Sequence, residues 1–166
     1  MWKNEKLQAQ IKTVEAVKKF VVVSGGLSWH LISPPHEEKK TIHDHSDVDL
    51  FVFPEHAGTV IGTFKSLGFN KYWTKYDGID KNFSRYGATI QEGEKRVKVL
   101  IDLFVEEVPY YVYNNFNIID TEYIMTLYGY KHMSAECTAV KSAKRLLARG
   151  ESVVGRKELI DETFGI

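Results

Sequence analysis

The stretch "HDHSDVDLFVFPE", residues 43–55, places two aspartates, Asp47 and Asp49, at alternate positions of an apolar run. Side chains alternate between the two faces of a strand, so both carboxylates are predicted on one face, about 6–7 Å apart at Cα. Like charges this close raise each other's pKa, and a divalent cation removes that penalty. Oxygen ligands favour Mg²⁺ over Zn²⁺. A surface edge or a helix-capping turn is the other interpretation of this pattern.

A third carboxylate occupies a similar position. Residues 97–105 form an apolar run with a single acid, Asp102, near its end. We expect this strand to be an antiparallel neighbour of strand 47–53 and to present Asp102 beside the other two aspartates. Three carboxylates around a pair of metal ions are typical of phosphoryl and nucleotidyl transfer. Taken alone, an aspartate in the position of Asp102 is more often a hydrogen-bonded structural residue.

A glycine turn lies upstream, in the sequence Ser24-Gly25-Gly26-Leu27-Ser28. It separates an apolar run at 20–23 from a short helix predicted over 27–32. Glycines allow close approach of the backbone to a ligand, and a helix N-terminus offers free N–H groups to phosphate oxygens. Ser24 and Ser28 add hydroxyl donors. The turn matches neither the P-loop nor the dinucleotide-binding fingerprint, and a tight turn without a ligand is the alternative.

Composition limits the classes of protein to consider. The chain has 166 residues, a formal net charge of zero and one cysteine, Cys137. No apolar run approaches the ~20 residues of a membrane span, and no disulfide can form within the chain. We therefore predict a soluble, cytoplasmic protein without a membrane partner, whose overall charge does not recruit nucleic acid.

The periodicity of apolar residues predicts a mixed order of elements in one domain, residues 1–166. Its core is expected at 20–105 and a helical C-terminal part at 120–166. The predicted fold class is α+β (mixed α/β). The expected elements are helix 5–19, strand 20–23, helix 27–32, strand 48–53, a helix from Pro54 to Leu67 with Gly68 after its end, strands 69–76, 83–90 and 96–105, a hairpin connection at 91–95, and helices beginning near Asp120 and Ser134.

Together, these motifs resemble the polymerase β-type nucleotidyltransferase superfamily. The resemblance rests on Gly25-Gly26 opening a helix, on Asp47-Val48-Asp49-Leu50-Phe51 in the next strand and on Asp102 in a later one. The flank "HDHSDVDLFV" is similar to the Arg-x-His-x-Asp-h-Asp stretch of small antibiotic-modifying enzymes such as the lincosamide type. His45 matches the histidine, whereas His43 stands where that group has arginine.

The resemblance implies a nucleotidyltransferase-like mixed sheet with helices mainly on one face and a helical C-terminal tail. It implies an Mg²⁺-dependent enzyme that moves NMP from an NTP such as ATP to a hydroxyl, and whose two-ion site uses Asp47, Asp49 and Asp102. A small hydroxylated acceptor is expected rather than a long nucleic acid, with an RNA end or a protein as the alternatives, and a homodimer is compatible with the short chain. The nucleotide-binding residues it implies are Ser24, Gly25, Gly26, Ser28, His45 and Lys131.

Several alternatives stay open on sequence grounds. A non-catalytic relative that binds a nucleotide or a partner has the same motifs, and a metal-dependent hydrolase uses the same carboxylates. His43 and His45 with Asp47 also suit zinc. The tyrosines at 110–113 suit either stacking on a ligand or packing, with packing favoured. The basic segment 131–157 suits either contact with RNA or a solvated helix face.

Overall fold

The computed structural model describes residues 4–32, 47–77 and 81–120, and these form a mixed sheet with helices. The predicted α+β class is confirmed. The elements are α1 (Asn4–Glu15), β1 (Val21–Ser24), α2 (Gly25–Ile32), β2 (Val48–Val52), a 3₁₀ turn (Pro54–His56), α3 (Ala57–Ser66), β3 (Asn70–Tyr72), β4 (Phe83–Glu92), β5 (Lys95–Val105), β6 (Tyr110–Tyr113) and β7 (Phe116–Ile119).

The seven strands lie in the order β3-β4-β5-β2-β1-β7-β6. The pairs β2–β5 and β1–β7 are parallel, and the other four pairs are antiparallel. The expectation that β5 runs antiparallel to β2 was wrong. After β2 the chain crosses through α3 and β3, and the β4–β5 hairpin then reverses it, so that β5 runs in the direction of β2. The register nevertheless sets Asp102 directly opposite Asp49.

Buried apolar residues lie on both faces of the sheet, and on the face of Asp49 and Asp102 they include Phe51 and Phe104. The residues of β2 that alternate with Asp49, namely Val48, Leu50 and Val52, are fully buried, as the period of two predicts. Helix α3 covers the face of these three residues, since the Phe64 ring lies 6.0 Å from the ring of Tyr86 in β4. The opposite face of β1, β2, β5 and β4 therefore carries the polar residues described below.

Two boundaries differ from those predicted. Strand β3 ends at Tyr72 rather than near residue 76. It stops there because a carboxylate oxygen of Asp77 accepts a hydrogen bond of 2.6 Å from the backbone N–H of Thr74 and closes a turn. Helix α1 ends at Glu15, and turns follow it up to β1.

The hairpin β6–β7 was missed in the sequence. Asn114 and Asn115 form its turn with positive φ of 49° and 68°, a conformation that asparagine tolerates better than most residues. Along β6, Tyr111 packs against the core whereas Tyr110 is 47% exposed. The tyrosine segment is thus an edge strand whose alternate residues pack inward, at the opposite edge of the sheet from β3.

Several predictions concern residues outside the described ranges. These are the helices expected after Asp120 and Ser134, the sites at His43, His45 and Lys131, the environment of Cys137 and the basic segment 131–157. Within residues 4–32, 47–77 and 81–120, no helix has the length and apolar character needed to cross a bilayer.

The backbone conformation of Gly68, just after the end of α3, can be tested by substitution. Gly68 has φ of 92°, and the N–H of Phe69 donates to the carbonyl of Phe64 at 2.9 Å, as the prediction of Gly68 after the helix end requires. A side chain in this left-handed conformation costs about 1 kcal/mol or more. We expect Gly68→Ala to lower the free energy of unfolding in urea by about that amount.

Gly62→Ala, in the interior of α3, is the matched control. A Cβ built there has no atom within 4 Å, and alanine favours helix over glycine by roughly 0.5–1 kcal/mol. The same substitution should therefore raise stability at 62 and lower it at 68. Changes of equal sign at the two glycines would contradict the assigned conformation of Gly68.

Candidate functional site

A row of polar side chains crosses four neighbouring strands on one face of the sheet. Ser24 of β1 lies opposite Asp49 of β2, Asp49 lies opposite Asp102 of β5, and Asp102 lies opposite Arg85 of β4. Adjacent strands are about 4.8 Å apart, so the two carboxylates are immediate neighbours. The fold therefore brings together residues that are far apart in the chain.

The two carboxylates occupy a poorly solvated position. Asp102 is 8% exposed and Asp49 is half-buried. Burial raises the pKa of Asp49 well above its ordinary range, and the negative charges of Asp102 and Asp47 raise it further. Arg85 acts in the opposite direction and lowers the pKa of Asp49. A row of this kind requires a positive charge beside it.

Arg85 supplies that charge through a forked contact. Its Nε donates to Oδ1 of Asp102 at 2.5 Å and its Nη2 donates to Oδ2 of Asp102 at 2.9 Å. The same Nη2 also donates to Oδ2 of Asp47 at 3.0 Å. The hydrogen bonds with Asp102 raise the pKa of the guanidinium, so Arg85 is a permanent cation here. Arg85 was not identified from the sequence.

The three predicted carboxylates therefore lie around one centre. Asp47 immediately precedes β2 rather than forming part of it, and it joins the group through Arg85. Asp49 and Asp102 meet through the strand register. These placements agree with the geometry expected from the sequence, while the chemical roles of the three residues stay predictions.

The glycine turn lies at the end of β1, next to this row. Gly25 opens α2 with φ of 63°, a conformation that favours glycine. The two predicted hydroxyl donors are buried: Ser24 is 1% and Ser28 3% exposed. The hydroxyl of Ser28 donates to the carbonyl of Gly25 at 2.6 Å, so it holds the turn together. The first N–H groups of α2 are available to an anion.

The donor set of the row fits magnesium. Asp47, Asp49 and Asp102 offer only oxygen atoms, and Mg²⁺ in proteins is commonly bound by one or two carboxylates together with substrate phosphates and water. Among the residues that the structure describes, no group of three or more His, Cys, Asp or Glu side chains is arranged to hold a metal ion. The guanidinium of Arg85 occupies one acceptor site on each oxygen of Asp102, so a metal ion at Asp102 would use the remaining lone pairs or displace part of the fork.

Comparisons with solved structures agree with this fold. JHP933 from Helicobacter pylori superposes with a TM-score of 0.56 and 12% identity over 90% of this chain and 68% of that chain. A proposed nucleotidyltransferase from H. pylori gives the same TM-score and identity, over 90% and 70%. ANT(2″)-Ia in complex with adenylyl-2″-tobramycin has a TM-score of 0.43 and 12% identity, over 87% and 88%. No protein-family model and no curated protein sequence matches the chain.

The chain thus has a nucleotidyltransferase-like fold, as the resemblance of its motifs to the polymerase β-type superfamily implies.

The ion pair of Arg85 can be tested without any ligand. Arg85→Gln leaves three acids together without their counter-charge. Removal of one partner of a buried pair costs roughly 3–5 kcal/mol. The Arg85 side chain is 23% exposed, so we expect a loss of about 2 kcal/mol in the free energy of unfolding, measured by urea denaturation.

A double-mutant cycle with Asp102→Asn isolates the interaction. We expect the loss in the double variant to be smaller than the sum of the single losses by more than about 1 kcal/mol. Lys12→Gln is the matched control, because the Lys12 side chain is 65% exposed in its pair with Glu92 and surface pairs contribute about 0–1 kcal/mol. A coupling near zero between Arg85 and Asp102 would contradict the forked contact.

Proposed function

We propose that the protein is an Mg²⁺-dependent nucleotidyltransferase that moves NMP from an NTP to a hydroxyl group. The observation that carries the proposal is the pairing of Asp49 with Asp102 in adjacent parallel strands, one strand away from the glycine turn. Structural stability alone does not account for two acids placed side by side with low solvent exposure, because the arrangement is costly. Carboxylates at this spacing suit an ion shared with a triphosphate.

The glycine turn binds the donor in this proposal. The absence of side chains at Gly25 and Gly26 lets phosphate oxygens approach the backbone, and the N–H groups at the start of α2 donate to them. Ser28 supports the turn through its bond to Gly25, and Ser24 and Ser28 stay proposed contacts to the nucleotide. His45 and Lys131 are further proposed contacts to the nucleotide.

The carboxylates Asp47, Asp49 and Asp102 would hold the magnesium ions. When bound, the ions neutralise charge on the phosphates and favour ionisation of the attacking hydroxyl. In this proposal Asp102 either ligates the catalytic ion or accepts the proton of the attacking hydroxyl. The hydroxyl oxygen then forms its bond to the α-phosphorus as the bond to pyrophosphate breaks. Arg85 orients the carboxylate of Asp102 through its fork, and catalysis is mainly positioning and charge stabilisation.

The central test is the loss of one carboxylate. We expect Asp49→Asn to lower label transfer from α-labelled NTPs by more than about 100-fold, because a direct ligand should matter more than the outer-shell groups whose loss costs 10–100-fold. The assay supplies each of the four NTPs with Mg²⁺ and a mixture of RNA and small hydroxylated acceptors, and it also records pyrophosphate release.

Glu55→Gln is the control for the change of charge. Glu55 lies in the 3₁₀ turn that follows β2 and its side chain is 62% exposed, so its loss should leave transfer unchanged. Transfer that survives both Asp49→Asn and Asp102→Asn would contradict the proposed mechanism.

A second candidate is a non-catalytic relative that binds a nucleotide or a partner. The observation that favours it is Arg85, whose guanidinium already satisfies Asp102 and Asp47. In such a protein NTP binding would be indifferent to Mg²⁺, whereas the enzyme should bind NTP at least several-fold more tightly with Mg²⁺. Titration calorimetry of the wild-type protein with and without Mg²⁺ separates the two.

A further inference from the structure

The polar row continues one strand beyond Arg85. Tyr72 of β3, at the edge of the sheet, lies directly opposite Arg85, and residues opposite each other in an antiparallel pair project from the same face. Two strand spacings separate Tyr72 from Asp102, or about 10 Å. The Tyr72 side chain is 42% exposed. An accessible aromatic ring thus lies at the end of the row that is farthest from the glycine turn.

The Tyr72 ring lies low over the sheet because its neighbour is a glycine. A Cβ at Gly87 would be 3.3 Å from Cδ2 of Tyr72 and 3.1 Å from Cδ2 of Leu100. Glycine therefore leaves the space into which the ring leans. The Nζ of Lys98 lies 4.9 Å from the ring centroid, so a cation accompanies the aromatic surface.

Tyr76 provides a second ring on the same face. It is 49% exposed and meets Phe83 edge-on at 6.1 Å, and Phe83 projects from the face that carries Arg85. The Nζ of Lys75 lies 5.2 Å from its centroid. Asp77 fixes this turn through Thr74 and an ion pair with Lys71, so the ring is presented by an ordered segment.

We propose that Tyr72, Tyr76, Lys75 and Lys98, the tyrosine–lysine surface, bind the acceptor, and that this acceptor is the 3′ end of a single-stranded RNA. The inference rests on the proposed function and adds to it the place and the chemical class of the acceptor.

The position follows from the geometry of displacement at phosphorus. The attacking oxygen and the leaving pyrophosphate lie on opposite sides of the α-phosphorus. With the triphosphate at the glycine turn beside β1, the acceptor must approach Asp102 from the side of β4 and β3. Tyr72 and Tyr76 are accessible rings on that side of the row and on the face that carries Arg85, whereas Trp73, next to Tyr72 in the chain, is expected on the other face.

The chemical class follows from the side chains. Nucleobases stack on aromatic rings, and lysine ammonium groups pair with phosphates. A base that stacks on Tyr72 displaces the Lys98 ammonium from the ring face and leaves it beside the phosphate of the same nucleotide. Neither Lys75 nor Lys98 has an ion pair with a carboxylate within the described part of the chain.

A polycationic small acceptor is disfavoured here, because both lysines would repel it. The expectation of a small hydroxylated acceptor rested on the similarity around His45 and Asp47, which says nothing about this edge of the sheet.

The experiment measures RNA binding separately from transfer. The probe is a ten-nucleotide single-stranded RNA with a 5′ fluorophore, titrated with protein at low salt without NTP and followed by fluorescence anisotropy. We expect Tyr72→Ala with Tyr76→Ala to weaken binding about tenfold or more, since each stacked base contributes substantially. Tyr72→Phe with Tyr76→Phe keeps the rings and should retain wild-type affinity.

Two further variants complete the design. Tyr110→Ala removes a 47% exposed tyrosine at the opposite edge and should leave binding unchanged. Lys75→Gln with Lys98→Gln changes only polar ends at the surface, and it should weaken binding and reduce its dependence on salt. Unfolding curves of every variant verify that each one is folded.

The outcomes separate this inference from the proposed function. Equal RNA affinity in the wild type and in the variant with Tyr72→Ala and Tyr76→Ala overturns the inference, even where label transfer to another acceptor occurs. The absence of RNA binding by the wild type overturns it as well. Binding of an aminoglycoside to the wild type that is weakened by Tyr72→Ala with Tyr76→Ala also overturns it. RNA binding that depends on the tyrosines, with no transfer by the wild type, supports the surface and overturns only the enzymatic proposal.

Discussion

The site depends on one electrostatic constraint: Asp49 and Asp102 are held side by side by the backbone of two parallel strands. The register fixes their separation, so the acids cannot move apart to reduce their repulsion. A positive charge must therefore lie beside them, and in this structure it comes from the guanidinium of Arg85. Arg85 and a bound divalent ion can each offset the negative charge of these two acids. The strength of the contact between Arg85 and Asp102 therefore determines how accessible the Asp102 carboxylate is to a metal ion or a substrate.

An aromatic row next to the polar row strengthens this effect. The rings of Phe51, Phe104 and Phe83 follow one another at centroid distances of 5.0 and 5.3 Å. Each ring lies two residues along its strand from a polar residue of the row, on the same face of the sheet. The pairs are Phe51 with Asp49, Phe104 with Asp102 and Phe83 with Arg85. Apolar neighbours keep water from one side of the acids, so charge interactions in the row are less screened than at an exposed surface. The same strands thus supply both the charges and the environment in which these charges act strongly.

Much of this arrangement was predictable from the sequence. The alternation around Asp47 and Asp49 gave the correct buried residues of β2, and the apolar run around Asp102 identified a strand that lies beside it. The direction of β5 was predicted wrongly although all three strands after α3 were expected. The crossover through α3, which returns the chain in the direction of β2 before the β3–β4–β5 meander, was not considered. Arg85 was missed because the connection at 91–95 was taken as five residues long. The turn is only Gly93 and Glu94, and counting back from that turn pairs Arg85 with Asp102.

The parallel pairing of Val23 with Ile118 affects how the chain acquires its structure. Strand β1 is synthesised long before β7, the strand that covers one of its edges. Until then that edge has unpaired backbone groups, which are a template for association with other chains. Because so many residues must be ordered before this contact forms, its closure is entropically late. During synthesis, β1 is therefore open to pairing outside its own molecule until β7 has been made.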